Sequence, residues 1–204
     1  DVLDGLNEFL SAGIKLNIRT TVSLETRSFF SDYADKEINS PGEPGVFYII
    51  GTGFTRTPRP ESKESETLQS LRTGARKRNI ELVDRINNHI PEIAINYEKD
   101  VVKLTPANNA TERHIVSAYI TKAQNVFNNP EKLIEFWSSL LNNTTMEMKN
   151  LIKDQRTMEA TVRSKLIKKN GIGYRQPSTE TFPPVEKFIQ WILSCGAVPT
   201  AAWL

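Results

Sequence analysis

The sequence predicts a mainly α protein with a short strand pair and an apolar C-terminal arm. Three observations carry that prediction. Apolar side chains recur at three- and four-residue spacing along most of the chain, which lays them on one face of a helix. One aromatic and β-branched run, Val46–Ile50, is fenced by turn residues on both sides. Beyond Gly173, a proline-containing linker leads into a last cluster of large apolar residues. A chain of 204 residues holds one good core and is short for two, so a helical domain over 1–174 and an arm over 175–204 are expected.

Taken in order, Val2, Leu3, Leu6, Phe9 and Leu10 share one stripe of a first helix that ends near Gly13. Thr20–Tyr33 is expected as a second helix, with Val22, Phe29, Phe30 and Tyr33 on one face and β-branched residues at its start. The turn sequence Ser40–Gly45 leads into the strand Val46–Ile50. Its candidate partner is Phe54–Arg56, as a hairpin across Gly51 and Gly53 that Pro58 and Pro60 bring to an end. From Ser62 the pattern is helical but interrupted near Gly74: Leu68, Leu71 and Ala75 form one stripe, Leu82, Ile86 and Ile90 another, and Arg76, Lys77 and Arg78 sit at the joint.

Pro91 closes that unit, and Glu92–Leu104 alternates too weakly to fit any element. Pro106, Asn108 and Asn109 are loop residues. Asn109 and Glu112 have the spacing of a helix cap and its reciprocal acid, ahead of a helix carrying Ile115, Tyr119, Ala123 and Val126. Asn129 and Pro130 start the most apolar helix in the favoured cap-then-proline order. After a break at 142–145, one long amphipathic run turns Met148, Leu151, Ile152, Val162 and Leu166 inward. Lys149, Lys153, Arg156, Arg163 and Lys165 face outward until Gly171 and Gly173 stop it. The arm comprises a linker, Gln176–Pro184, and a short helix, Val185–Leu193. Phe182, Phe188, Ile189, Trp191, Ile192, Leu193 and Trp203 are too many large apolar groups for a free tail; they pack either on the chain's own helices or on a neighbouring subunit.

Composition narrows the function. Apolar content of 38%, charged content of 25% and a mean hydropathy of −0.41 describe a water-soluble globular chain with no membrane span. Acids in the first residues, where a signal peptide would carry bases, point to an intracellular protein. One cysteine and two histidines exclude an internal disulfide and leave too few ligands for zinc, so neither metal nor cofactor is expected. Cys195 has no histidine near it in sequence, the Gly51 turn lacks the rest of a dinucleotide fingerprint, and paired acids such as Glu64 and Glu66 lie in a wet stretch. No catalysis is expected. The sharpest charge feature is Arg72–Arg85, with five basic side chains in a chain of net charge only +2. Clustered guanidinium groups suit phosphate because they offer forked hydrogen bonds, whereas the plainer alternative is a solvated turn paired with Glu81 and Asp84. Arg113 opens its helix against the macrodipole, which also favours an anionic partner. The second basic face, Lys149–Lys169, reads as an ordinary wet surface.

In order and spacing these pieces resemble the coat proteins of rod-shaped plant RNA viruses, the tobamovirus, tobravirus, hordeivirus and pecluvirus group. The likeness covers residues 1–174. It lies in the short apolar helix, the polar LNIRTTVSLETRSFFSDY segment, the Pro-rich turn before an aromatic strand, the basic RKRNIELVDR and the later ATERHIVSAYITKAQNVF. The resemblance implies an antiparallel four-helix bundle that stacks as a helix of identical subunits around single-stranded RNA, in virions and in host cytoplasm during assembly. It places Arg76, Lys77 and Arg78 on one side of the RNA and Arg113 on the other, binding phosphates without sequence preference. Two departures stand out. Ile115, Val116 and Ser117 occupy the place where the family commonly carries acids, and the arm is apolar where relatives often have a polar tail. The rival expectations are a nucleoprotein of a negative-strand RNA virus and a helical scaffold protein without nucleic acid.

Overall fold

The computed structural model describes residues 3–105 and 107–202. Val2, Pro106 and Trp203, which the sequence places in the first helix, a loop and the arm, lie outside those residues. The chain is mainly helical with one three-stranded antiparallel sheet. It divides into two compact units: a sheet unit, Asp1–Ala75 with Gln176–Leu204, and a helical unit, Arg76–Arg175. Of the segment expected as an arm over 175–204, all but Arg175 falls in the unit built by the first 75 residues.

In the sheet unit, α1 (Leu6–Lys15) is followed by β1 (Ser23–Phe29), β2 (Val46–Thr52) and, from the other end of the chain, α7 (Val185–Ser194) and β3 (Val198–Ala201). The strand order is β1-β2-β3, with β1 paired to β2 from Ser23 opposite Thr52 to Phe29 opposite Val46. The second helix expected over Thr20–Tyr33 is instead β1 and a 3-10 turn at Ser31–Tyr33. Its β-branched start favours extended backbone, and pairing along seven residues of β2 outweighs the few apolar residues that a helix would align. Phe54–Arg56 does not pair with β2. Phe54 is buried in the core, and Val22 O accepts both Gly53 N–H at 2.9 Å and Phe54 N–H at 3.1 Å. β2 finds its second partner in β3.

The long connection from β1 to β2 turns back at Gly45, at φ +76°, where a Cβ would lie 2.5 Å from the Phe29 ring, so only glycine fits. Asn39 extends the pairing by side chain: its Oδ1 accepts Tyr48 N–H at 2.7 Å while its Nδ2 donates to Tyr48 O at 2.9 Å and Ala202 O at 2.6 Å. The core of this unit joins Leu3, Leu6, Val22, Ile49 and Phe54 to Phe188, Trp191 and Ile192. The question the sequence left open about the last apolar cluster is answered for these three residues: they pack on their own chain.

In α2 (Lys63–His89) the helix continues through Gly74 without a break. The expected interruption is absent because one mid-helix glycine costs only about 1 kcal/mol, less than breaking and renucleating the helix. Arg76, Lys77 and Arg78 thus sit mid-helix, at the residue where the two units divide. After α2 come 3-10 turns at Pro91–Ile93 and Val102–Leu104 on either side of a single π turn at Tyr97–Val101. The helical unit is completed by α3 (Glu112–Val126), α4 (Pro130–Leu141), α5 (Thr145–Leu151) and α6 (Gln155–Leu166).

Caps decide these boundaries. Thr111, not Asn109, caps α3, with its N–H donated to His114 Nδ1 at 3.0 Å. Asn129 caps α4 as expected, accepting from Glu131 N and Lys132 N. The long run after 145 splits because Asp154 accepts from Arg156 N and Thr157 N and so starts a new helix. The Thr157 hydroxyl and those amides hold the Asp154 carboxyl below its usual range. The Thr144 amide and hydroxyl do the same for Glu147 at the start of α5. Leu82, Val83 and Ile86 of α2 share one core with Ile115, Tyr119, Trp137, Met148, Met158, Val162 and Leu166.

Candidate nucleic-acid interface

Charge is divided unevenly between the units. The helical unit carries 17 Lys and Arg against 11 Asp and Glu, net +6, whereas the sheet unit carries 9 against 13, net −4. The whole-chain value of +2 conceals this polarity, and any polyanion contact belongs on the helical unit.

Within that unit the predicted cations differ in availability. Arg76 forms a fork with Glu98: Nη1 donates to Oε2 at 3.1 Å and Nη2 lies 2.5 Å from Oε1. The guanidinium also sits 5.7 Å from the centre of the Tyr97 ring. Both charged side chains are about half exposed, at 47% and 50%, so the pair is worth on the order of 0.5–1 kcal/mol and a phosphate can exchange for the carboxylate. Lys77 is well exposed, with only a 3.9 Å contact to Glu81. Arg78 is half-buried and engaged within the fold.

Asn79, one residue on, donates to Ala110 O at 2.8 Å and to Tyr97 Oη at 3.4 Å. That bond ties the 76–79 turn of α2 to the loop entering α3, whose first turn holds Arg113. Arg113 is exposed and has no ion-pair partner among the described residues. The flanking basic residues are otherwise occupied: Arg72 pairs with Asp4 at 2.7 Å, and Arg85 Nε donates to Gly173 O at 2.9 Å. Burial lowers the pKa of Arg85, with Glu81 partly offsetting it. Ile115 and Val116 are core residues.

No family model, curated protein or solved structure matches this chain. The likeness to rod-shaped coat proteins therefore rests on the order of residues alone.

Two participants had no visible signal in the sequence, and a third was expected in a different role. Tyr97 and Glu98 lie in the segment whose pattern fits no element, yet they hold Arg76. Glu112, expected to answer a cap, instead collects α6: Arg163 Nε and Nη2 donate to its Oε2 at 2.9 and 2.6 Å, and Lys168 Nζ lies 3.1 Å away.

The chain after α6 is pinned rather than loose. Gly171, Ile172 and Gly173 N–H donate to Lys168, Lys165 and Leu166 carbonyls. A Cβ on Gly173 would stand 2.6 Å from Leu82 and 2.7 Å from Ile86. Gly173→Ala is therefore expected to cost about 1–3 kcal/mol by overpacking, read as a lowered urea midpoint, while Gly53→Ala, where nothing lies within 4 Å but φ is +88°, tests backbone strain alone.

Cys195 lines a cleft of about 270 Å³ with Arg56, Arg59, Glu64 and Ser194, and burial together with Glu64 pushes its thiol up, away from the nucleophilic form. His89 Nδ1 is 2.9 Å from Arg85 O, and His114 is spent on the α3 cap. Among the described residues no group of three or more His, Cys, Asp or Glu could hold a metal, and no helix is long and apolar enough to cross a membrane.

Proposed function

We propose that this chain is a non-catalytic structural coat protein that assembles with identical subunits as a helix around single-stranded RNA. It works without metal or cofactor, in virions and in host cytoplasm during assembly. Arg76, Lys77, Arg78 and Arg113 contact phosphates, and the C-terminal half of α2 with α3, α4 and α6 forms the four-helix bundle of the resemblance. The observation that carries this reading is the net +6 of the helical unit, with exposed cations on α2 and on the first turn of α3 beyond what the local acids neutralise. Sequence-tolerant RNA binding needs no more than this, because each phosphate contact is weak and the contacts repeat along one polymer. Exposed Phe9, Ile14, Leu16 and Ile18 on and after α1 support subunit contacts, since large apolar groups this close together favour an interface.

Electron microscopy of the purified protein with and without RNA, across pH and salt, tests the assembly. Rods or stacked discs support it; persistent monomers without RNA affinity would point to a helical scaffold protein instead. Replacing Arg76 and Arg78 together by Ala is expected to abolish RNA-containing rods at physiological salt. Rods forming as readily as before would remove these residues from the site.

A further inference from the structure

We propose that the last turn of α6 and the segment that follows it, residues 163–175, are a second wall of the polyanion surface, continuous with Arg113 on one side and with the Arg76–Arg78 turn on the other. This rests on the RNA-binding reading above and names contacts it does not contain. Residues 160–175 hold five Lys and Arg and no acid. The carboxylate that meets Arg163 and Lys168, Glu112, has a side chain only 13% exposed and must serve both. The next residue on α3 is Arg113, and the next after Lys168 is Lys169. Both are exposed and lack an ion-pair partner among the described residues. One carboxylate thus meets two cations directly, with two more exposed cations adjacent in sequence, at the start of a helix where the macrodipole adds further positive potential.

Such an excess is unfavourable for folding by itself, and an anion relieves it. Arg163, Lys168 and Arg175 are also held in position. Glu112 anchors Arg163 and Lys168 to α3; Gly173, under Arg85, anchors the other end to α2; Arg175 lies 3.7 Å from Glu81, which also contacts Lys77. Fixed cations lose little entropy on binding, so they suit the repeating phosphates of a single strand. A lipid surface would ask for apolar groups beside the bases, and here Leu166 and Ile167 are buried.

The test uses the full chain and fluorescently labelled poly(U), with affinity measured by anisotropy over a salt series. Lys168→Gln/Lys169→Gln leaves Arg163 on Glu112 and is expected to keep the thermal midpoint. It should weaken binding roughly tenfold at physiological salt and make the log K against log salt slope shallower by about 1.4, at about 0.7 per contact. If the wild type binds steeply and this variant binds identically while Arg76→Gln/Arg78→Gln is weakened, the second wall is overturned and the RNA reading stands. If the wild type shows no salt-dependent binding, both fall. Equal binding and equal loss on phosphatidylserine vesicles would overturn RNA as the partner.

Discussion

Replacing Trp191 by Ala is expected to destabilise the sheet unit by about 4 kcal/mol, a large part of the stability of an ordinary domain. Trp191 lies on α7 and is 4% exposed. Its ring stacks on Phe188 at 5.3 Å between centroids and tilts against Phe54 at 5.7 Å, so truncation removes the group that joins the C-terminal helix to the residues after β2. The indole also donates Nε1–H to Glu64 O at 2.8 Å, and its loss leaves that carbonyl without its side-chain donor. Trp191→Phe keeps most of the apolar volume and drops the hydrogen bond, so it should cost roughly 1–2 kcal/mol. Urea denaturation gives the totals, and hydrogen exchange should show protection lost in α7, β1 and β2. A Trp191→Ala chain as stable as the wild type would mean that α7 does not build this core.

The same contacts explain what was legible in the sequence and what was not. Local signals worked where a helix is amphipathic and capped by its own neighbours. α4 begins at Asn129 and Pro130 as expected, and α7 starts at Val185 because its apolar stripe is complete within ten residues. They failed where the deciding partner is distant. β1 became a strand because β2 pairs with it, and β2 took as its other neighbour a strand some 150 residues away, which no window around Val46 can see. The basic run at Arg76–Arg78 was visible by composition, and Arg113 by its odd place at a helix start. Their surroundings were not, since Glu98 reaches Arg76 from 22 residues on and Arg163 reaches Glu112 from 51 residues on. Charge counting over the whole chain hid the strongest signal, because the acidic unit is split between the two ends of the sequence, before and after the basic stretch.

Asn87→Ala is the second substitution expected to have a large effect, about 3 kcal/mol, and it bears directly on the candidate site. One side chain serves three groups: Nδ2 donates to Ile95 O at 2.8 Å, while Oδ1 accepts Ile95 N–H at 3.0 Å and the Tyr119 hydroxyl at 2.8 Å. Tyr119 is fully buried, and burial drives its hydroxyl far above the usual tyrosine range, so it stays a neutral donor at any working pH. Removing the amide orphans the two Ile95 backbone groups at once, each costing about 1–3 kcal/mol where water is excluded, while Tyr119 falls back on Val83 O at 3.2 Å. Tyr119→Phe removes only the hydroxyl and should cost about 1 kcal/mol; the exposed neighbour Asn88→Ala should stay within about 0.5 kcal/mol. The functional consequence follows from what Ile95 leads into. Tyr97 and Glu98 are the next residues to touch α2, and their hold on Arg76 depends on this segment lying against the helix. In Asn87→Ala the Ile95 amide should lose its exchange protection before the core of α3 does, and Arg76 should be released from Glu98 at the same time. Full protection at Ile95 in that variant would show that the segment is held by its apolar residues alone, and that Arg76 is fixed by Glu98 without help from Asn87.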